Sequence, residues 1–220
     1  MERYTFALKI KEGGQNSFRT GLGKIWPKMV QILDAGQIRN FSMWQAAELV
    51  FGYYEAEGAK AKVTEEKGEP QHERLAEVLQ QLSESFEWLA QPGSHMRLMY
   101  HDFGIVREDK SLIRHRMFMT KLKPGCEEEY KRRHDALVEA RGSEVNPGPD
   151  SNFSIWHAGG YIFGYDEIDT TMERAETQEA HEATVAWESR QLEIMDWITN
   201  DVDWLTGQWH PASVRLAWYK

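Results

Sequence analysis

Tyr130 and His134 stand four residues apart in a stretch that reads as a helix over 126–140, so both project from one helix face. An imidazole with an ordinary pKa of about 6.5 suits proton transfer near neutral pH. Placed together inside a fold, the two make a polar cleft fit for acid–base work. Trp187 on the next helix and Trp156 on a strand could floor such a cleft. Tyr161, Tyr165 and Glu167 share one strand face by alternation; on an inner face Glu167 would pair with His134 and orient it, bind a ligand hydroxyl or sit at a wet rim. His157 ends a strand beside Gly159-Gly160 and reads as a turn residue, while His181 falls on a charged, solvated helix stretch. No H-x-x-x-H or comparable carboxylate spacing suggests a metal site, and no glycine-rich phosphate loop is present.

What gives Tyr130 and His134 their weight is a comparison the chain makes with itself. Shifted by 112 positions, it matches itself without a gap: Phe6 falls on Phe118, Lys9 on Lys121, Lys11 on Lys123 and Gly13 on Gly125. Asn40-Phe41-Ser42-Met43-Trp44 then meets Asn152-Phe153-Ser154-Ile155-Trp156, and Phe51-Gly52-Tyr53-Tyr54-Glu55 meets Phe163-Gly164-Tyr165-Asp166-Glu167. That period is too long for a solenoid repeat of about 20–50 residues, so each copy is a small domain, expected over 1–106 and 107–220. At the Tyr130 and His134 positions the first copy has Phe18 and Leu22, which lie on an apolar helical stripe with Ile25, Met29 and Leu33. The pair therefore points inward. A lone inward histidine can be a satisfied core residue. Yet a fold content with Phe and Leu gains nothing structurally from burying Tyr and His at roughly 1–3 kcal/mol per unpartnered group. The sequence thus predicts a polar site in copy two and a degenerate one in copy one.

Each copy reads as strand, helix, two strands, helix, strand. The first strands are Arg3–Lys11 and His115–Lys123, ended by Gly13 and by Pro124-Gly125. The strand pairs are Arg39–Trp44 with Leu49–Glu55 and Asn152–Trp156 with Tyr161–Ile168. Second helices are expected near 71–91 and 173–200, and closing strands at Met96–Tyr100 and Val214–Tyr219. This order is the ferredoxin-like split βαβ unit. Its sheet carries helices on one face only, and apolar groups occupy both faces of the strands. The fold class expected is therefore α+β, with two tandem ferredoxin-like units packed sheet to sheet as an intrachain dimeric αβ barrel. A charged linker is expected at 102–114 and a surface excursion at 56–70.

The 220 residues carry a net charge of −9 with 41% apolar and 28% charged residues, the balance of a soluble globular chain and the wrong sign for nucleic acid. No apolar run approaches the roughly 18 residues of a membrane span, and the first residues form no signal peptide. With one cysteine, Cys126, an intrachain disulfide is excluded. A cytoplasmic protein with neither nucleic-acid nor membrane partners is expected.

Glu129-Tyr130-Lys131-Arg132-Arg133-His134, followed by Asn152-Phe153-Ser154-Ile155-Trp156, resembles the L-rhamnose mutarotase family of small dimeric αβ-barrel isomerases. The match is best over 115–198 and the closing strand, while copy one keeps the Ile25-Trp26-Pro27 motif that copy two has replaced with Leu137-Val138-Glu139. The resemblance implies cofactor-free interconversion of sugar anomers, His134 as general acid, and Tyr130 as a ligand of sugar hydroxyls. It also implies an internal pseudo-dimer and leaves open a further homodimer. Phe153 stands where the family usually has tyrosine, and Trp187 matches one of a tryptophan pair whose other member is Ala186 here. Two other readings keep the fold. One is a different barrel enzyme, a cofactor-free oxygenase or lyase or a haem protein with an axial histidine. The other is a non-enzymatic small-molecule-binding module in which His134 is merely packed.

Overall fold

A computed structural model describes residues 1–57, 71–94, 96–199, 210 and 213–220. From residue 58 on, the excursion read at 56–70 lies outside them. In chain order the elements are β1 (Glu2–Ile10), α1 (Gln15–Ala35), β2 (Arg39–Ala46), β3 (Leu49–Ala56), α2 (Gln71–Gln80), β4 (Phe86–Ala90) and β5 (Arg97–Asp102). They continue as β6 (Ile113–Leu122), α3 (Glu127–Arg141), β7 (Asp150–Ala158), β8 (Tyr161–Asp169), α4 (Gln178–Gln191), β9 (Met195–Thr199) and β10 (Val214–Tyr219). Two five-stranded antiparallel sheets result, in the orders β10-β2-β3-β1-β4 and β5-β7-β8-β6-β9. No helix among the described residues is long and apolar enough to cross a membrane.

The α+β class and the βαββαβ order hold in both copies, with two corrections. The second helices stop at Gln80 and Gln191, short of the expected 91 and 200. Each gives way to a strand, because Phe86 and Trp88, like Met195 and Trp197, alternate with Glu87 and Asp196 at the two-residue period of a half-buried strand. These strands, β4 and β9, pair with β1 and β6 and are the true fourth strands of the units. The segments expected to close each copy are instead exchanged: β5 follows copy one but pairs with β7, and β10 follows copy two but pairs with β2. The compact units are consequently Met1–Met96 with Val214–Lys220, and Arg97–Ser213, rather than the contiguous halves 1–106 and 107–220.

Within the second unit, three acidic residues, Glu127, Glu128 and Glu129, open α3, and Arg141 closes it, complementing the helix dipole at both ends. The Thr177 hydroxyl accepts the Ala180 N–H at 3.2 Å and caps α4. On the sheet, Phe118 lies across Gly164, where an added Cβ would fall 2.1 Å from its ring. Only glycine lets the ring lie flat there, and the first unit repeats the arrangement with Phe6 over Gly52. The charged stretch expected as a linker is anchored to β8: Arg107 Nε meets Asp169 at 2.8 Å and Lys110 Nζ meets the fully buried Glu167 at 2.6 Å.

The helix-bearing sides of the two units differ in filling. In the first, Phe6, Phe18, Leu22, Phe41, Tyr54, Leu75, Val78 and Leu79 pack into one buried cluster. In the second, the corresponding place is a cavity.

Candidate active site

The cavity has a volume of about 630 Å³ and is roofed by α3 and α4, floored by β6, β7 and β8 and bounded by β5 and β9. Both Tyr130 and His134 line it, from the inward face of α3, and both are buried. Their rings stack at 4.2 Å between centroids. The His134 Nδ1–H donates to the Tyr130 carbonyl oxygen at 2.9 Å. A carbonyl can only accept, so this bond assigns the proton to Nδ1 and leaves Nε2 with its lone pair. Burial holds the imidazole pKa down at about 4, against the raising effect of that carbonyl. Burial, with Glu188 nearby, pushes the Tyr130 phenol far up, so it stays a neutral hydroxyl.

Aromatic rings surround the imidazole. Trp187 of α4 stands edge-on to it at 5.2 Å and Tyr100 of β5 at 5.5 Å. Phe153 touches Tyr100 at 5.4 Å and Phe118 at 6.3 Å, and Phe118 in turn meets Trp197 at 5.8 Å. Polar groups are interleaved with these rings. Gln191 is 1% exposed, and neither its amide oxygen nor its amide nitrogen has a partner among the described residues. A buried amide on a cavity wall with both ends unmet is answered by water or by a ligand in that cavity. Arg116 stands over the Phe118 ring at 5.8 Å.

Of the residues nominated from sequence, Tyr130, His134, Phe153 and Trp187 come together here. Trp156 and Glu167 do not. Phe153, Ile155 and Ile168 line the cavity, so their strand neighbours point off the opposite face. There Trp156 donates to Ser154 Oγ at 3.0 Å. Glu167 accepts from Asn152 Nδ2 at 3.0 Å, the Tyr165 hydroxyl at 2.9 Å and Lys110. It is therefore not the partner of His134. The first unit repeats the cluster: Glu55 accepts from Asn40 Nδ2 at 3.1 Å and from Tyr53 at 2.8 Å. In both copies the asparagine adopts a positive φ, 52° and 54°, at the point where the register with the next strand slips. Because both copies have the cluster, it belongs to the fold and not to what distinguishes copy two. His181 pairs with Glu176 at the surface, as its solvated helix position implies. Among the described residues, no group of three or more His, Cys, Asp or Glu is placed to hold a metal ion.

Several cavity residues escape the sequence comparison because the shift between copies changes along the chain. Leu8 pairs with Trp88 and Thr120 with Trp197, so from the second helix onward the offset is 109, not 112. On that register Thr184, Trp187, Glu188 and Gln191 replace Leu75, Val78, Leu79 and Leu82. A whole apolar helix face has become polar and aromatic. Arg116 and Asp166 replace Tyr4 and Tyr54 at the original offset. Tyr100 is hidden for a different reason, since its strand reaches the site only through the exchange.

The pattern that defines the L-rhamnose mutarotase family matches the chain twice, over residues 3–101 and 115–213. The chain belongs to this family. The two matches in tandem agree with the two βαββαβ units and with the internal repeat. No curated protein and no solved structure matches the chain.

Proposed function

We propose that the second unit is a sugar mutarotase whose proton carrier is His134. The observation that carries this reading is the lone pair of a buried imidazole, fixed by the Nδ1 bond to Tyr130, on the wall of a cavity within the roughly 300–1,000 Å³ range of small-molecule sites. A neutral Nε2 takes the proton of the anomeric hydroxyl while the bond from C1 to the ring oxygen breaks. The imidazolium so formed delivers that proton to the ring oxygen, which is bonded to the same carbon. The open aldehyde turns about its C1–C2 bond, and the reverse steps close the ring on the other face. No other group need change its charge overall, and His134 ends as it began.

The surroundings support each step. Tyr130 and Gln191 offer a donor and an acceptor to ring hydroxyls, and Trp187 lines the apolar side of the sugar. A positioned acid–base group contributes about 10²–10⁴-fold, which is ample for a reaction that already proceeds in water. The first unit has Leu22 in place of the imidazole and Phe18 in place of the phenol, and it holds no site in this reading.

Saturation transfer between anomeric proton resonances, over a panel of hexoses and deoxyhexoses, tests the proposal. The wild-type protein is expected to accelerate exchange for at least one sugar, with His134→Ala returning the rate to that of buffer. Equal rates for the two proteins on every sugar would refute it.

A further inference from the structure

Beside the main cavity lies a second of about 210 Å³, lined by Asp102, Arg116, Asn146, Asp150, Phe153 and Asp166. Arg116 and Phe153 line both, so the two spaces are neighbours that meet at these two side chains. Asp166 is 3% exposed, and its Oδ1 has no hydrogen-bond partner among the described residues. Asp150 lines the same space beside it. Burial, more than the Asp150 charge, favours the protonated form of Asp166. The copies again disagree here: Ile38, Tyr4 and Tyr54 stand where Asp150, Arg116 and Asp166 do.

The charges around this space balance. Asp102 is paired with Arg141 at 2.9 Å. With Asp166 protonated, Asp150 brings one negative charge and Arg116 answers it with one positive charge. A cation or an anion would upset that balance, whereas an uncharged group able both to donate and to accept would not. That description fits a hydroxyl. A ring hydroxyl stands directly on the pyranose, but the hydroxyl of an exocyclic hydroxymethyl is carried one carbon further out, toward a neighbouring space.

We infer that Asp166, with Asp150 and Arg116, forms a subsite for the 6-hydroxyl of the sugar, so that the second unit selects hexopyranoses over their 6-deoxy counterparts. This rests on the mutarotase reading for its substrate class and sets the specificity within that class. An apolar group in the subsite would leave Asp166 Oδ1 unmet, and a site built to hydrogen-bond a hydroxyl discriminates strongly against the analogue without it.

The test uses two sugar pairs that differ only at carbon 6, L-mannose with L-rhamnose and D-galactose with D-fucose. Each is measured for anomer exchange by saturation transfer and, independently of turnover, for binding by ligand-observed NMR. Wild-type protein is expected to favour the hydroxylated member of its better pair by about tenfold or more. Asp166→Leu should erase or reverse that preference, and Asp166→Asn, which keeps a donor and an acceptor, should retain most of it. Equal or inverted preference in the wild type, or a wild-type preference surviving in Asp166→Leu, overturns the inference. Should Asp166→Leu fail to fold, the wild-type comparison and Asp166→Asn decide alone. Binding preference without catalysed exchange would sink the mutarotase reading and leave the subsite standing. Exchange without preference would do the reverse.

Discussion

Replacing Asp166 by asparagine should make the protein more stable at pH 8 while changing little at pH 4. Burial, with Asp150 beside it and Arg116 only partly opposing, pushes the Asp166 pKa from its ordinary 3.8 up to about 8. The fold therefore binds a proton that the unfolded chain has released between those two values. Below about pH 4 both states hold the proton and nothing is lost. As pH rises, stability falls by about 1.36 kcal/mol per pH unit until the folded carboxyl also ionises, which accumulates to roughly 5 kcal/mol by pH 8. Asparagine has the same shape, never ionises, and can donate its amide to Asp150. Thermal unfolding of both proteins at pH 4.5 and pH 8 reads the effect directly. For a chain of this length each kcal/mol moves the midpoint by about 2–4 °C, so Asp166→Asn should melt at least several degrees higher at pH 8. His134 also titrates over this range, but it is common to both proteins and drops out of the difference. A gain equal at both pH values, or a loss at pH 8, would refute the reasoning.

Other expectations can be checked alongside it. Because burial keeps His134 neutral down to about pH 4, catalysed exchange should hold its rate from pH 7 to about 5 and fall as pH drops through 4; a rate already halved at pH 6.5 would show an ordinary imidazole. Lys110→Met should destabilise the second unit by about 3–5 kcal/mol, since it strips the cation from a fully buried Glu167; denaturant unfolding measures this, and a loss under 1 kcal/mol would count against it. Gly164→Ala should lower stability and slow exchange together, because its Cβ would press to 2.1 Å from the cavity ring of Phe118; an unchanged melting point would contradict it. Phe18→Tyr with Leu22→His should weaken the first unit by about 1–3 kcal/mol per buried group without raising the exchange rate.

The sequence reveals the elements whose residues dictate their own period. α1 and α3 come from apolar or polar groups three and four apart, and the hairpin of β7 and β8 from alternation around Gly159-Gly160. β4 and β9 are concealed because a helix and a strand adjoin within about 20 residues, and the helical stripe of Leu75, Val78 and Leu79 continues visually into Phe86 and Trp88. The exchange of β5 and β10 leaves no mark in local pattern at all. Either sheet edge would satisfy these strands' hydrogen bonds, and only tertiary connectivity selects one. The site divides the same way. Tyr130, His134, Phe153 and Trp187 are visible in the sequence, the first two because the gap-free shift sets them against hydrocarbon. Gln191 and Glu188 need a register that strand pairing supplies. Glu167 is misplaced by sequence reasoning because alternation tells which residues share a face without telling which face is wet.

The reciprocal exchange of β5 and β10 also dictates an order of events during synthesis. The sheet of the first unit lacks its β10 edge until the ribosome has made everything from residue 97 to residue 213, so the earlier half of the chain is completed last. A protease nick anywhere in 103–112 would not release two finished domains, because each fragment would still hold an edge strand of the other's sheet.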